Sequence, residues 1–421
     1  MLLRFRVRNF RSLRDEAELS LIATSLADHA AAVISTSDVG DGVLRVAVVY
    51  GANASGKTNV LRAMHFMSGA VEDSQRGWDP AGDIPREGYA FDTQPAGDES
   101  FFEADFLLTG IRYTYGFAID DKRILREWLH AYPGSRRQIW FERDVDRFAF
   151  GKKLVGENRA IERLTRPNSL FLSAAAQSNH EQLTPIYQWF AHRWDFVRGD
   201  RHFLTRRTAD LCSNAERKQR VESLLQSADL GITGFEIREL ELDEQTKRVI
   251  EAVLPPESVK SDVPLTRKEI SFVHRCLNGR NVPLNWHDES DGTMAYFALL
   301  GPVVRTLELG GILFVDELDS SLHPLLALEI VRMFNSPATN PNNAQLLFNT
   351  HDTNLLDNTI LRRDQVWFTE KDDCGASHLY ALTDFKPRRG ENIKTGYLQG
   401  RYGAVPFVGS FNYAEGAVRG E

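Results

Sequence analysis

Val43-Leu-Arg-Val-Ala-Val-Val-Tyr50 runs directly into Gly51-Ala-Asn-Ala-Ser-Gly56-Lys57-Thr58, and these sixteen residues decide the reading of the chain. The first half is an apolar, β-branched run of strand character. The second half fits G-x-x-x-x-G-K-[ST] with no mismatch. Its glycines let the backbone curl so that successive N–H groups converge on phosphate oxygens at a helix N-terminus. Beyond it, Val60, Leu61, Met64 and Met67 recur at helical spacing. Strand, glycine loop and helix together are the context of a phosphate loop; a chance glycine turn is the alternative. Gly51, Asn53, Ala54, Ser55, Gly56 and Asn59 would then surround a nucleotide's phosphates. Lys57 would contact the β- and γ-phosphates, and the Thr58 hydroxyl would bind Mg²⁺.

The chain has 421 residues and a formal net charge of −8. This length allows two or three compact units or one elaborated domain. An apolar fraction of 42% beside 26% charged residues is that of a globular protein. The opening MLLRFRVRNFRSLRDE interrupts its apolar residues with arginine, so it is no signal-peptide core. No later run is long enough for a membrane helix, and a cytoplasmic protein is expected. Cys212, Cys276 and Cys374 are too far apart for a CxxC metal site or a disulfide scaffold. Net acidity argues against tight DNA binding by the whole surface. The stretch Arg193–Arg220 is locally basic, with a net charge of +4 over residues 192–220. It is either a solvated helical face or a surface for nucleic acid or a partner.

Residues 1–22 alternate apolar and polar and predict two strands joined near Arg11–Asp15. Residues 71–100 read as a surface insertion, and 101–150 as an antiparallel β-subdomain. Residues 179–228 read as helical, and 234–286 return to strand-like alternation with a break at Pro255–Pro256. A helix from near Gly292, a strand at 312–315, a helix after Pro324 and a strand at 345–348 complete an alternating pattern. Such alternation implies a mainly parallel sheet. The expected organisation is a first ATPase lobe at 1–178, a helical insertion at 179–233 and a second lobe with a C-terminal β segment at 234–421.

Gly311-Ile-Leu-Phe-Val-Asp316-Glu317 places two carboxylates at the end of an apolar strand. Asp316 can support Mg²⁺ and Glu317 can polarise the attacking water as general base. The pair could also simply cap the next helix. Asn349-Thr-His351-Asp352 follows the strand QLLF. His351 there can sense a γ-phosphate or be a structural histidine at a strand end. Glu289-Ser290-Asp291-Gly292-Thr293 precedes a helix, and its Ser290 and Gly292 leave either a plain N-cap or an exposed positive helix end for a γ-phosphate. Glu370, Asp372 and Asp373 lie between two strand-like runs and read as a hairpin turn rather than a metal cluster.

Phosphate loop, signature segment, DE strand, Leu318-Asp319-Ser-Ser-Leu-His323-Pro324 and the THD histidine occur in the order seen in ABC-type ATPase heads. The opening Phe5-Arg-Val-Arg-Asn-Phe-Arg11-Ser-Leu13 resembles the N-terminal strand pair of RecF and SMC-like heads. The ending Gly396-Tyr-Leu-Gln-Gly-Arg-Tyr402-Gly-Ala-Val-Pro406 resembles AAA-type ATPases of bacterial anti-phage systems of the RloA or AbiL kind. The resemblance implies an α/β ABC-type P-loop ATPase head, with an antiparallel β-subdomain and a helical insertion on a mainly parallel sheet. It implies ATP and Mg²⁺ as ligands, with Arg11 among the nucleotide-binding residues, Glu317 as hydrolytic base and His351 as switch histidine. Ser290 and Gly292 would meet ATP bound to the other protomer, and Asp319 would line the dimer interface. Gln177 is the candidate for the family's glutamine that senses Mg²⁺ and water; a capping or surface glutamine is the alternative. Asp291 and Thr293 depart from the usual Gly and Gln of the signature.

On this resemblance, two heads pair around ATP and regulate a separate effector, such as a Toprim-like nuclease, in anti-phage defence. A RecF-like repair ATPase that binds DNA through Arg193–Arg220 is one alternative, and a low-turnover nucleotide-dependent scaffold is another. Residues 179–228 are too few for a long coiled-coil arm. Those after the histidine motif are too few for an appended Toprim domain.

Overall fold

The computed structural model describes residues 1–36, 39–91, 99–198, 201–228, 230–243, 266–276 and 279–406. Strand β1 (Leu2–Arg8) buries Leu3, Phe5 and Val7 while its arginines point outward, and β2 (Ala17–Ser20) pairs with it antiparallel. A short hairpin follows, β3 (Val33–Thr36) and β4 (Val39–Leu44). Strand β5 (Val46–Gly51) is buried at every position and feeds the glycine loop and α1 (Lys57–Asp73). Next come β6 (Ser100–Leu108), β7 (Ile111–Ile119), β8 (Ile124–Tyr132), β9 (Gln138–Asp144) and β10 (Arg147–Phe150). With the first hairpin they make one antiparallel sheet in the order β10-β9-β8-β7-β6-β1-β2. The N-terminal strand pair and the 101–150 strands are thus one structure.

Three helices pass behind this sheet: α2 (Asn158–Leu164), α3 (Phe171–Gln177) and α4 (Thr184–Arg193). The stretch 179–228 then departs from the helical expectation. Trp194–Val197 forms β11, before α5 (Arg201–Leu211) and α6 (Ala215–Ser227). Strand β11 runs parallel to β15 (Ile312–Val315), with Phe196 stacked on Phe314 at 4.3 Å. Four residues with a polar Asp195 among them show no strand periodicity of their own; the open edge of the sheet supplies their partner.

Strands β12 (Ile232–Glu241), β13 (Thr266–Arg275) and β14 (Asn281–Asn285) form an antiparallel meander. The break expected at Pro255–Pro256 lies outside the described residues. After the meander come α7 (Asp291–Leu309), β15, α8 (Pro324–Asn335), β16 (Gln345–Asn349), β17 (Val366–Lys371), β18 (Ser377–Ala381) and α9 (Ile393–Leu398). The second sheet has the order β11-β15-β16-β5-β17-β18 and is parallel except for its last pair. Alternation along β5 divides the interior: Ala47 and Val49 face the antiparallel lobe, whereas Val46, Val48 and Tyr50 face α7 and α8. Glu370, Asp372 and Asp373 lie on the β17–β18 hairpin, where Asp372 Oδ1 accepts from the N–H groups of Cys374 and Ala376 at 3.0 and 2.8 Å. Among the described residues no helix is long and apolar enough to cross a membrane.

Candidate nucleotide site

The carboxyl ends of β5, β15 and β16 lie side by side, where an open α/β sheet offers its crevice. At the end of β5 the loop 51–56 turns tightly into α1. Gly56 has φ +109°, and a Cβ there would collide with the Ser377 side chain. Ser55 Oγ lies 2.7 Å from Thr369 Oγ1, and Ser377 Oγ donates to the Ser55 carbonyl at 2.7 Å. The β17–β18 hairpin therefore buttresses the loop from behind. The β1–β2 connection joins this support through Ser12, which accepts from Asn59 Nδ2 at 2.7 Å. Asn53 and Ala54 stay exposed at the loop's tip. Helix α1 has no side-chain cap, so its first N–H groups are left for a ligand.

Lys57 is buried, and its Nζ donates to the carbonyls of Gly51 and Ala52 at 2.9 and 3.0 Å. Burial lowers its pKa, opposed by the charges of Glu317, Asp319 and Asp316. Thr58 Oγ1 donates to Asp316 Oδ1 at 2.9 Å, and Asn349 Nδ2 donates to the same oxygen at 2.6 Å. Asn349 Oδ1 in turn accepts from the Glu317 N–H at 2.7 Å. Glu317 is exposed and sits at φ +57°, a conformation non-glycine residues adopt at a cost. Buried Asn349 thus fastens both carboxylate residues to the end of β16. Asp319 accepts from Thr350 Oγ1 at 2.6 Å and from the His351 N–H at 3.3 Å. The His351 imidazole pKa is lowered, first by burial and then by the charge of Lys57. Thr58 and Asp316 offer the hard oxygen donors that suit Mg²⁺ held by one hydroxyl, one carboxylate and phosphate oxygens.

A family model described as "AAA domain, putative AbiEii toxin, Type IV TA system" matches residues 46–357, most of the chain. The chain belongs to this AAA family. No curated protein matches it. Among solved structures it is similar to the SMC head domain from Thermotoga maritima, at 14% identity and TM-score 0.42 over 90% of this chain and 98% of that one. An SMC head bound to the C-terminal winged-helix domain of ScpA matches at 14% identity and TM-score 0.43, covering 90% and 97%. An Smc head with an extended coiled coil, bound to the C-terminal domain of ScpA derived from Pyrococcus furiosus, matches at 12% and 0.41, covering 91% and 97%.

In this AAA protein the remaining expected site residues lie in different places. Ser290 caps α7, its Oγ accepting from the Thr293 N–H at 3.1 Å. Gly292 packs against the Ser321 carbonyl, and Arg201 bridges Asp291 and Ser321 at 2.9 and 3.0 Å. The signature segment therefore leans on the loop after the DE strand. Arg11 is committed to Glu87 by an ion pair, while its neighbour Ser12 touches the phosphate-loop support. Gln177 is a correction. It ends α3 exposed and hydrogen-bonds Tyr187, whose hydroxyl donates to the Glu72 carbonyl at 3.3 Å. Glu72 is at the far end of α1, about 22 Å along the axis from Lys57 at about 1.5 Å per residue. Gln177 consequently stands away from Thr58 and Asp316. The basic stretch is largely neutralised: Arg207 pairs with Asp195, and Arg217 and Arg220 pair with Glu308.

The sequence assigns no site role to Asn349 or Arg62, and it places Arg198 only in the basic stretch. Arg62 follows Thr58 by four residues, which places both on one face of α1, so helical spacing alone would have found it. Arg198 follows β11 and was hidden by the helical reading of that stretch.

Proposed function

We propose that this chain is an ATP-hydrolysing switch. The observation that carries the reading is the hydrogen-bonded chain Thr58–Asp316–Asn349–Glu317, which sets a Mg²⁺ ligand pair beside an exposed carboxylate. Lys57 and the free N–H groups of α1 bind the β- and γ-phosphates; Thr58 and Asp316 hold Mg²⁺. Glu317 takes a proton from the attacking water as its oxygen bonds to Pγ. The Pγ–O bond to ADP breaks, and its electron pair stays on the β-phosphate.

Two copies close head to head around ATP, Ser290 and Gly292 of one protomer meeting the γ-phosphate on the other. His351 senses that phosphate, and Asp319 lies between the heads. Ion-pairing of the basic stretch favours a protein partner over DNA, so the switch regulates a separate effector. The family's link to a type IV toxin–antitoxin system supports action alongside a second protein, in anti-phage defence of the RloA or AbiL kind.

The test is native mass and turnover of wild type and Glu317→Gln in Mg-ATP and Mg-ADP. Glu317→Gln is expected to retain ATP, to lose turnover by about 10²–10⁴-fold and to double in mass only with ATP. Equal hydrolysis by both proteins would remove Glu317 from the base role. A constant monomer would sink the shared site.

A further inference from the structure

Beside Thr58, Asp316 and Glu317 lies a cavity of about 440 Å³ whose wall also carries Arg62, Arg198 and Arg201. Three elements deliver these arginines: α1 one turn beyond Thr58, the end of β11, and the first turn of α5. Arg201 is engaged with Asp291 and Ser321. The other two differ from it. Arg62 Nε is buried with no hydrogen-bond partner, and neither Arg62 nor Arg198 makes an ion pair among the described residues. Burial and then the neighbouring charge of Arg62 disfavour the charged form of Arg198, with Asp316 opposing. Arg62, Arg198 and Arg201 outnumber Asp316 and Glu317 on the wall, and an oxyanion relieves the repulsion between the first two guanidiniums with charge-assisted hydrogen bonds.

We propose that Arg62 and Arg198 form a phosphoryl pocket within the protomer, which meets the γ-phosphate at cleavage and holds the inorganic phosphate product. The proposal rests on the ATPase reading above. Once water's oxygen has bonded to Pγ and the bridging bond has broken, the freed phosphate carries more localised charge than it did within ATP. Lys57 stays with the ADP phosphates, while Arg62 and Arg198 take up the separated oxyanion on the side of Asp316 and Glu317. Phosphate departure, rather than cleavage alone, then sets when the site relaxes.

The experiment is binding of labelled inorganic phosphate to the full chain loaded with Mg-ADP, with ATP turnover measured on the same preparations. Wild type is expected to bind phosphate. Arg62→Ala and Arg198→Ala should each weaken it about tenfold or more, and Arg198→Lys should keep part of the affinity. ADP affinity within about twofold of wild type in all three variants reports intact folding and an intact phosphate loop. No phosphate binding by wild type, or alanine variants that bind phosphate as tightly as wild type, overturns the pocket. If no preparation hydrolyses ATP, the ATPase reading fails, and phosphate binding still decides whether the arginines hold an oxyanion.

Discussion

Two helix N-termini stand near the candidate site, and they are built in opposite ways. Helix α1 begins at Gly56 with no side-chain cap, so its first amides are open. Helix α7 begins at Ser290, whose hydroxyl is already spent on the Thr293 N–H. Both carry the same partial positive charge, but only at α7 is a side-chain hydroxyl already engaged with a helix amide. The phosphate loop is thus ready within one chain. At the signature end the Ser290 hydroxyl already contacts Thr293 Oγ1 at 2.9 Å, and trading that contact for phosphate suits a contact made only when a second protomer closes.

The comparison breaks most easily at Gly56. Gly56→Ala puts a Cβ into Ser377 at φ +109°. It should destabilise the fold by at least about 2 kcal/mol and abolish nucleotide binding, as read by thermal unfolding and by titration with a fluorescent ATP analogue. Next in size is Asn349→Ala, which unfastens Glu317 and half of Asp316's support. Turnover should fall about tenfold or more while ATP still binds; unchanged turnover would make Asn349 a merely structural residue. At the other helix, Ser290→Ala should cost about 1 kcal/mol through the lost cap. If it leaves stability alone and abolishes ATP-driven pairing instead, the hydroxyl belongs to phosphate rather than to its own helix.

The smallest effect is a pH dependence. His351, His65, His130 and His180 all have pKa values lowered below 6.5, mainly by burial. In that window the unfolded chain binds more protons than the native one, so stability is present above the unfolded value and declines as pH falls through the folded ones. Thermal unfolding should therefore shift downward on acidification below about pH 6.5, and a His180→Gln variant should flatten part of the slope.

Much of the site was legible because its chemistry is local. The spacing in Gly51–Thr58 needs only a preceding strand and a following helix to become a phosphate loop. Asp316 and Glu317 announce themselves at the end of an apolar strand. His351 likewise follows a buried run. Gln177 went astray because a glutamine after an alanine-rich helix carries no local mark of what lies beside it. Its neighbour is Tyr187 of α4, whose hydroxyl reaches the Glu72 carbonyl near the remote end of α1.

By itself the sequence determined the strand–loop–helix unit, the order of the parallel sheet's central motifs and the antiparallel character of residues 101–150, because hydrophobic period and glycine conformation act over a few residues. Tertiary structure alone decided that Trp194–Val197 is a strand, that Asn349 ties the two carboxylates together, and that Arg62 and Arg198 face one cavity. Those outcomes depend on hydrogen bonds and charges between segments well separated in the chain, 32 residues for Asn349 and Glu317 and further for the others, and no local pattern encodes such contacts.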